Sequence, residues 1–428
     1  MPADLAVLGL GRTGLPLAQA AAAAGIGVIG YDPDPAAAAD INAGRVPPGT
    51  LATADLRRLL ACGFRATADP TVLGRVRTAV ICAPTPLGED RALDLTAVSA
   101  AARALAAHLR PHTTVVLESA VYPGTTEGLL RPLLEAHGLT AGRDFHLAYS
   151  PSRLDPGNRD FHLTNTPKVI GGCTPACTEA AAAFFGRFTE KIVRARGPRE
   201  AEAVNLLETN YRHVNIAFAN EMAVFCHEVG VDLWDVIRCA ETKPFGFQAF
   251  RPGPGVGGPA AALDPNAVPL FGAMPAQGQG QTRMLGHPLR MVELAQEVNS
   301  RMPRYVVQRA AALLNEHGKS LRGARVLLLG VTYKADLADQ EGAPAREIGT
   351  RLMELGAQLC YHDPYVPQWR VLDRPVPRAD SLWEAAAEAD LTVLLQHHRT
   401  YDLQGLAVKA QLLLDTRGAT PAGAAARL

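Results

Sequence analysis

Over the first ~190 residues, short apolar runs rich in β-branched side chains alternate with Ala/Leu-rich stretches of helical length. The runs predict strands at Leu5–Leu8, Gly27–Gly30, Thr78–Cys82, Thr114–Leu117 and Lys168–Ile170. Helices are predicted between them, for example Gly14–Ala24 and Asp94–Leu109. Such alternation predicts a parallel, doubly wound sheet. From Glu200 to Val229 there is no proline, and Val204, Leu207, Tyr211, Val214, Ala217, Met222 and Phe225 recur at helical spacing, ahead of Gly230. One long helix closed by a glycine is expected. Residues 251–288 lack periodicity and are rich in Gly, Pro and Gln, which predicts a long loop. Helical spacing resumes over Leu289–Asn315, with a break expected at Pro303. A second strand–helix series starts at Ala324 (RVLLLGVTY), passes a helix near Ala345–Leu355, then QLCYHDP and ADLTVLLQ, and closes at LLLDTRG.

The length, 428 residues, fits two or three domains at roughly 100–200 residues each. We expect domains at 1–198, 199–318 and 319–428. Lys+Arg and Asp+Glu are both 42, so the chain offers no electrostatic footprint for nucleic acid. The uncharged stretch Leu15–Tyr31 is short and mostly Ala and Gly, so no membrane span is expected. Asp4 stands where a secretory signal needs positive charge. The seven cysteines are scattered and form no CxxC, which predicts reduced thiols in a cytoplasmic protein and no metal framework.

Gly9, Gly11 and Gly14 form G-x-G-x-x-G directly after a strand and at a helix start. The first glycine permits the turn, the second lets backbone approach a pyrophosphate, and the third lets helix and strand pack closely. Arg12 and Thr13 lie between them. The next strand ends in Asp32, 18 residues after Gly14. A carboxylate there bonds ribose hydroxyls and repels a 2′-phosphate, so NAD is expected as cofactor rather than NADP. Thr85 in ICAPTP and Glu118 and Ser119 in LESAVYPGTT follow apolar strands, where loops line a ligand crevice. The fold class expected is α/β: two Rossmann-like doubly wound domains joined by a long central helix.

The stretches GLGRTGLPLA, APTP, ESAVYPGTTE, SPSRLDPGN, PKVIGG, NIAFANEMA, TKPFGFQAFRPGPGVGG, LLGVTYKAD, YHDPYVP and DTRG appear in this order. With them the chain resembles the UDP-glucose/GDP-mannose dehydrogenase family, most closely its UDP-N-acetylhexosamine branch. The resemblance implies an NAD domain, a central helix that forms a homodimer, a C-terminal domain for a sugar nucleotide or nucleoside, and oxidation of an alcohol. It also implies substrate contacts at Arg153, Leu154, Phe250, Gly253, Gly257 and Lys334, with Arg212 as a further contact.

Several chemical positions depart from the family pattern. The catalytic cysteine falls on Ala260, the helix lysine on Asn205 and its partner asparagine on Thr209. The threonine of the EST motif falls on Ala120, the glutamate of SPER on Ser152, and an arginine on Glu341, while Asp264 is kept. Cys226 and Cys239 are expected to be core thiols. A methyl group cannot form the thiohemiacetal and thioester of a four-electron oxidation. A two-electron or a transient, redox-neutral oxidation needs only a bound nicotinamide, an alcohol carbon and a base. Asp264, Tyr122 and His213 are the base candidates, and Asn205 and Thr209 share their helix face. The alternative expectation is an inactive homologue that binds NAD and a sugar nucleotide.

Overall fold

In the computed structural model, residues 3–47, 49–86, 88, 92–257 and 289–428 are described, with the backbone of 269–270 and 283–284. The chain divides into two units, Met1–Glu208 with Leu263–Pro288, and Thr209–Ala262 with Leu289–Leu428. The division falls inside a single helix, Pro198–Glu228.

The first unit holds an eight-stranded sheet: β1 Leu5–Leu8, β2 Val28–Tyr31, β3 Arg65–Thr67, β4 Thr78–Ile81, β5 Thr114–Leu117, β6 His146–Tyr149, β7 Lys168–Gly172 and β8 Ile192–Arg194. Its order is β3-β2-β1-β4-β5-β6-β7-β8. The first six strands run parallel in the doubly wound order of dinucleotide-binding domains. The chain then reverses. β7 pairs antiparallel with β6, with Tyr149 opposite Gly171, and β8 follows parallel to β7. β1, β4 and β5 read LAVL, TAVI and TVVL because both of their faces are covered. Leu5 and Val7 enter one core with Leu15 and Leu17, and Ala6 and Leu8 enter the other with Ile81 and Leu117.

In the second unit a five-stranded parallel sheet runs in the order Gln358–His362, Arg325–Leu329, Leu391–Leu394, Leu413–Asp415, Ala426–Arg427. This is the other common doubly wound order. The expected α/β class with two such sheets and a long helix between them in sequence is what the structure has.

The long helix spans 31 residues. Gly230 follows at φ 71°, and the Val231 amide returns to the Cys226 carbonyl at 2.8 Å, closing the helix as a Schellman turn. The break expected at Pro303 is absent, because Arg290–Glu316 runs through it as one helix. Only the hydrogen bond to the Asn299 carbonyl is forfeited. Pro303 and its neighbour Met302 are buried, and that packing keeps the turns on either side in register. Within 251–288, expected as loop throughout, Pro269–Leu270 pairs antiparallel with Arg283–Met284.

Candidate functional site

The turn after β1 is built for a close ligand. Gly9 has φ 96°, and a Cβ there would sit 2.8 Å from the Cys82 carbonyl oxygen. At Gly14 a Cβ would meet the Gly9 oxygen at 1.9 Å, so only glycine lets the helix Gly14–Ala23 approach β1. Gly11 has nothing within 4 Å of its would-be Cβ and leaves an open approach to backbone. Arg12 and Thr13 are half-buried beside it. The helix carries no side-chain cap and no acidic residue in its first turn, which suits an anion at its positive end. Asp32 accepts from the Leu10 amide at 3.3 Å and the Asp34 amide at 3.1 Å, so its carboxylate sits at the end of β2 beside the glycine turn. This cradle fits the diphosphate and ribose of NAD.

The carboxyl edge of the sheet continues the crevice. Ser119 donates to the Ala83 carbonyl at 2.7 Å and ties the loop after β5 to the one after β4, while Thr85 is half-buried in the latter. Glu118 does not face solvent. It is 1% exposed, and its Oε1 receives Lys168 Nζ at 2.6 Å. Lys168 also lies over the Phe185 ring, 4.5 Å from its centre. Glu118 Oε2 is buried and accepts no hydrogen bond from the described residues. Burial, and next the Glu118 charge, push the neighbouring Cys82 thiol well up.

Tyr122, expected as a base candidate, is held in the loop after β5. It is buried beside Leu93 and Leu206, and its phenol oxygen accepts the Leu93 amide at 3.1 Å. The loop it starts is held by a residue that sequence reasoning missed. Glu202, fully buried on the long helix, accepts from the Thr126 amide at 2.8 Å, the Thr126 hydroxyl at 2.6 Å and the Gly124 amide. Burial outweighs these three donors and pushes its carboxyl up to about 7. Arg153 donates to the Pro167 carbonyl at 2.8 Å and pairs with Glu208, and Leu154 packs half-buried on the first core. These contacts fix the segment that precedes β7.

Asn205, Thr209 and His213 recur every four residues on the long helix. Asn205 is half-buried, Thr209 and His213 are buried, and Arg212 is exposed off this stripe. Burial, and then the adjacent Arg212 charge, bring the His213 imidazole down to about 4, so it is neutral at pH 7. One to two turns on comes Asn220, also missed from sequence and fully buried. It accepts the Gly253 amide at 2.9 Å and donates to Asn299 Oδ1 at 2.9 Å, and Asn299 donates to the His213 carbonyl at 3.2 Å. The loop from Phe250 to Gly257 is thereby fixed to the helix. Phe250 packs edge-on to Tyr211 with ring centres 5.7 Å apart. A Cβ at Gly257 would lie 2.9 Å from the Gly342 carbonyl, close to Tyr333. At Gly253 a Cβ would lie 3.0 Å from Arg417 Nη1.

Arg417, in the DTRG run but not singled out from sequence, donates to the Leu395 carbonyl at 2.7 Å, and burial lowers its guanidinium to about 10, still charged at pH 7. Lys334 is half-buried in the loop after Arg325–Leu329, and Glu341 is exposed further along it. Arg417 and Lys334 both leave carboxyl ends of the second sheet, where ligands bind in such folds.

Asp264 and Ala260 lie outside the described residues. Among the cysteines Cys82, Cys177 and Cys226 are buried. Cys239 is not a core thiol as expected: it is exposed on Leu233–Ala240, beside Asp235 and Arg238. No helix among the described residues is long and apolar enough to cross a membrane.

Three family models of the UDP-glucose/GDP-mannose dehydrogenase family match in chain order: the NAD binding domain over residues 3–189, the central domain over 199–301 and the UDP binding domain over 327–422. The chain belongs to that family, and NAD is its cofactor. It is 32% identical to the NDP-N-acetyl-D-galactosaminuronic acid dehydrogenase of Ralstonia solanacearum, across 97% of this chain and 95% of that one. It is 31% identical to the UDP-N-acetyl-D-mannosamine dehydrogenase of Escherichia coli (strain K12), across 97% and 99%. Among solved structures it is similar to a UDP-D-ManNAc dehydrogenase from Pyrococcus horikoshii, with TM-score 0.82, 29% identity and coverage of 98% and 97%. It is also similar to a UDP-glucose dehydrogenase from Pyrobaculum islandicum, with TM-score 0.83, 28% identity and coverage of 100% and 97%.

Proposed function

We propose that this chain oxidises an alcohol of a UDP-N-acetylhexosamine-type sugar nucleotide by two electrons and stops before the carboxylate. NAD+ supplies the hydride acceptor. The chain's own residues bind and orient the substrate: Arg417 and Lys334 for phosphate oxygens, with the loop of Gly253 and Gly257 packed beside Arg417 and Tyr333. His213 is the proposed proton acceptor, with Asn205 and Thr209 on its stripe; it is unprotonated at pH 7, and the burial that keeps it so also makes it a weak base.

The observation that carries the stop is the distribution of thiols. The chain has Ala260 two residues after the PGPGVGG segment, with no cysteine between Cys239 and Cys360. Burial, the largest cause in each case, pushes up Cys82, Cys173 (to about 12) and Cys360, so these are protonated thiols and poor nucleophiles. The test is to turn the protein over with NAD+ and UDP-N-acetylmannosamine, UDP-N-acetylglucosamine or UDP-N-acetylgalactosamine. One NADH per sugar with a carbonyl product is expected; no net NADH with a changed sugar would mean a transient, redox-neutral oxidation instead. Two NADH per sugar with a uronate would overturn the reading, and binding without turnover across the panel would mean an inactive homologue.

We further infer a homodimer. Tyr211, Phe218, Phe225 and Val229 on the long helix are 48%, 62%, 55% and 55% exposed, beside a cavity of about 540 Å³ lined by Met222, Val236 and Phe247. Exposed apolar side chains grouped on one helix support a protein–protein contact there. Light scattering should give twice the chain mass, and Phe218→Asp should give the monomer.

A further inference from the structure

The loop carrying Lys334 is held by a buried carboxylate–imidazole pair. Asp363 directly follows the strand Gln358–His362, and His398 follows the strand Leu391–Leu394. These strands flank Arg325–Leu329, from which the loop departs. Both side chains are completely buried, and His398 Nε2 lies 3.0 Å from Asp363 Oδ2. The carboxylate also accepts the Val331 amide at 2.8 Å and the Tyr365 amide at 2.8 Å. On the far side of the ring, Nδ1 accepts the Asp336 amide at 2.9 Å. A backbone N–H cannot be an acceptor, so Nδ1 is unprotonated and the ring proton sits on Nε2, aimed at Asp363.

That assignment matters because Asp336 is strained. Its φ is 60°, a conformation that non-glycine residues adopt rarely. It is kept there by His398 on its amide and by Arg399, whose amide and Nε each reach its carboxylate at 2.9 Å. Between Val331 and Asp336 two backbone carbonyls are also tied. The Thr332 hydroxyl donates to the Lys334 carbonyl at 2.9 Å, and Gln396 Nε2 donates to the Tyr333 carbonyl at 3.1 Å. The backbone on both sides of Lys334 is thus set, and its C-terminal anchor is the imidazole.

We propose that His398 is a positioning residue for the sugar-nucleotide contact at Lys334, working through a tautomer that Asp363 enforces. This rests on the reading above that Lys334 meets the sugar nucleotide. Had the proton moved to Nδ1, two donors would face each other at Asp336, and the strained turn would relax and carry Lys334 away.

The probe is UDP, titrated calorimetrically into the full-length protein. An Asn side chain places an acceptor near the Nδ1 position, whereas Gln reaches only the Nε2 position. His398→Gln is expected to weaken UDP about tenfold, and His398→Asn less than about threefold, with NAD affinity unchanged in both. Equal losses in the two variants, or a parallel loss of NAD affinity, would mean a merely structural role and overturn the proposal. Lys334→Met separates the two ideas. If it binds UDP like the wild type, the underlying site assignment fails. If it loses UDP while His398→Gln does not, the positioning role fails. The wild-type protein gives a check that needs no stable variant: ring-nitrogen NMR of the native protein should show the His398 proton on Nε2 and not on Nδ1, and the Nδ1 tautomer would refute the mechanism.

Discussion

Asn220 accepts the Gly253 amide with its side-chain oxygen and grips Asn299 with its nitrogen, both at 2.9 Å, in a place no water reaches. A glycine-rich loop with few side chains of its own is thereby held by a helix. Asn220→Ala leaves a buried amide and a buried carboxamide oxygen unpaired, which costs about 1–3 kcal/mol. The KM for sugar nucleotide is expected to rise while that for NAD stays unchanged. Denaturant midpoints and the two KM values check this, and a variant with unaltered stability would contradict it.

The three glycines of the first turn are expected to fail differently. Gly14→Ala drives a methyl into the Gly9 carbonyl at 1.9 Å and should abolish soluble, folded protein. Gly11→Ala meets nothing within 4 Å and should melt like the wild type, yet lose NAD affinity by about tenfold or more, because the methyl occupies the approach to backbone. Melting curves with and without NAD distinguish the two.

Lys168 and Glu118 form a buried ion pair at 2.6 Å. Lys168→Met strands a carboxylate in the interior and is expected to destabilise by about 3–5 kcal/mol. The double variant Glu118→Leu with Lys168→Met should recover much of that loss. If the double variant is as unstable as the sum of the singles, the pair does not act as a unit.

Glu202 and His213 should tilt stability with pH in opposite senses. The folded Glu202 carboxyl, about 7, lies above its ordinary value near 4.5, so the native state holds the proton more tightly. Its contribution is full below pH 4.5 and is lost as pH rises toward 7. Folded His213, about 4, lies below 6.5, so its contribution is full above pH 6.5 and is lost as pH falls toward 4. Each effect is on the order of 3 kcal/mol by the usual conversion, and over their shared window they largely offset. Relative to wild type, Glu202→Gln should therefore gain stability as pH rises from 4.5 to 7, and His213→Gln should gain as pH falls from 6.5 to 4. Urea unfolding across that range measures both, and differences that stay flat would mean the groups do not titrate as assigned.

Period and punctuation made much of the fold legible. β1, β4 and β5 are apolar throughout, and the long helix shows its spacing until Gly230. In the first sheet the strands that escaped notice were Arg65–Thr67, His146–Tyr149 and Ile192–Arg194. The first and last have only three residues, and the middle one mixes His and Tyr with apolar positions, so none has a clear period. Pro303 misled because a proline's local penalty can be outweighed by tertiary packing. At the site, glycines and Asp32 announce themselves by spacing. Glu202, Asn220, Asn299, Asp363 and His398 do not, because their roles are set by partners 32 to 86 positions away along the chain, and no local pattern encodes such a distance. The burial of Tyr122 against Leu93 and Leu206 was not legible either, because both partners lie far away along the chain.

The reversal between β6 and β7 has an evolutionary corollary. A sheet of purely parallel strands offers one rim only its exits. Here the backward-running β7 offers that rim an entrance, with Lys168 as its first residue and the stretch 154–167 leading into it. Length changes in that stretch would therefore be transmitted at once to the Glu118 partnership, whereas insertions at the opposite rim would not. Homologues should vary freely in the turns before β4 and β5, and keep the spacing between Arg153 and Lys168 under much tighter control.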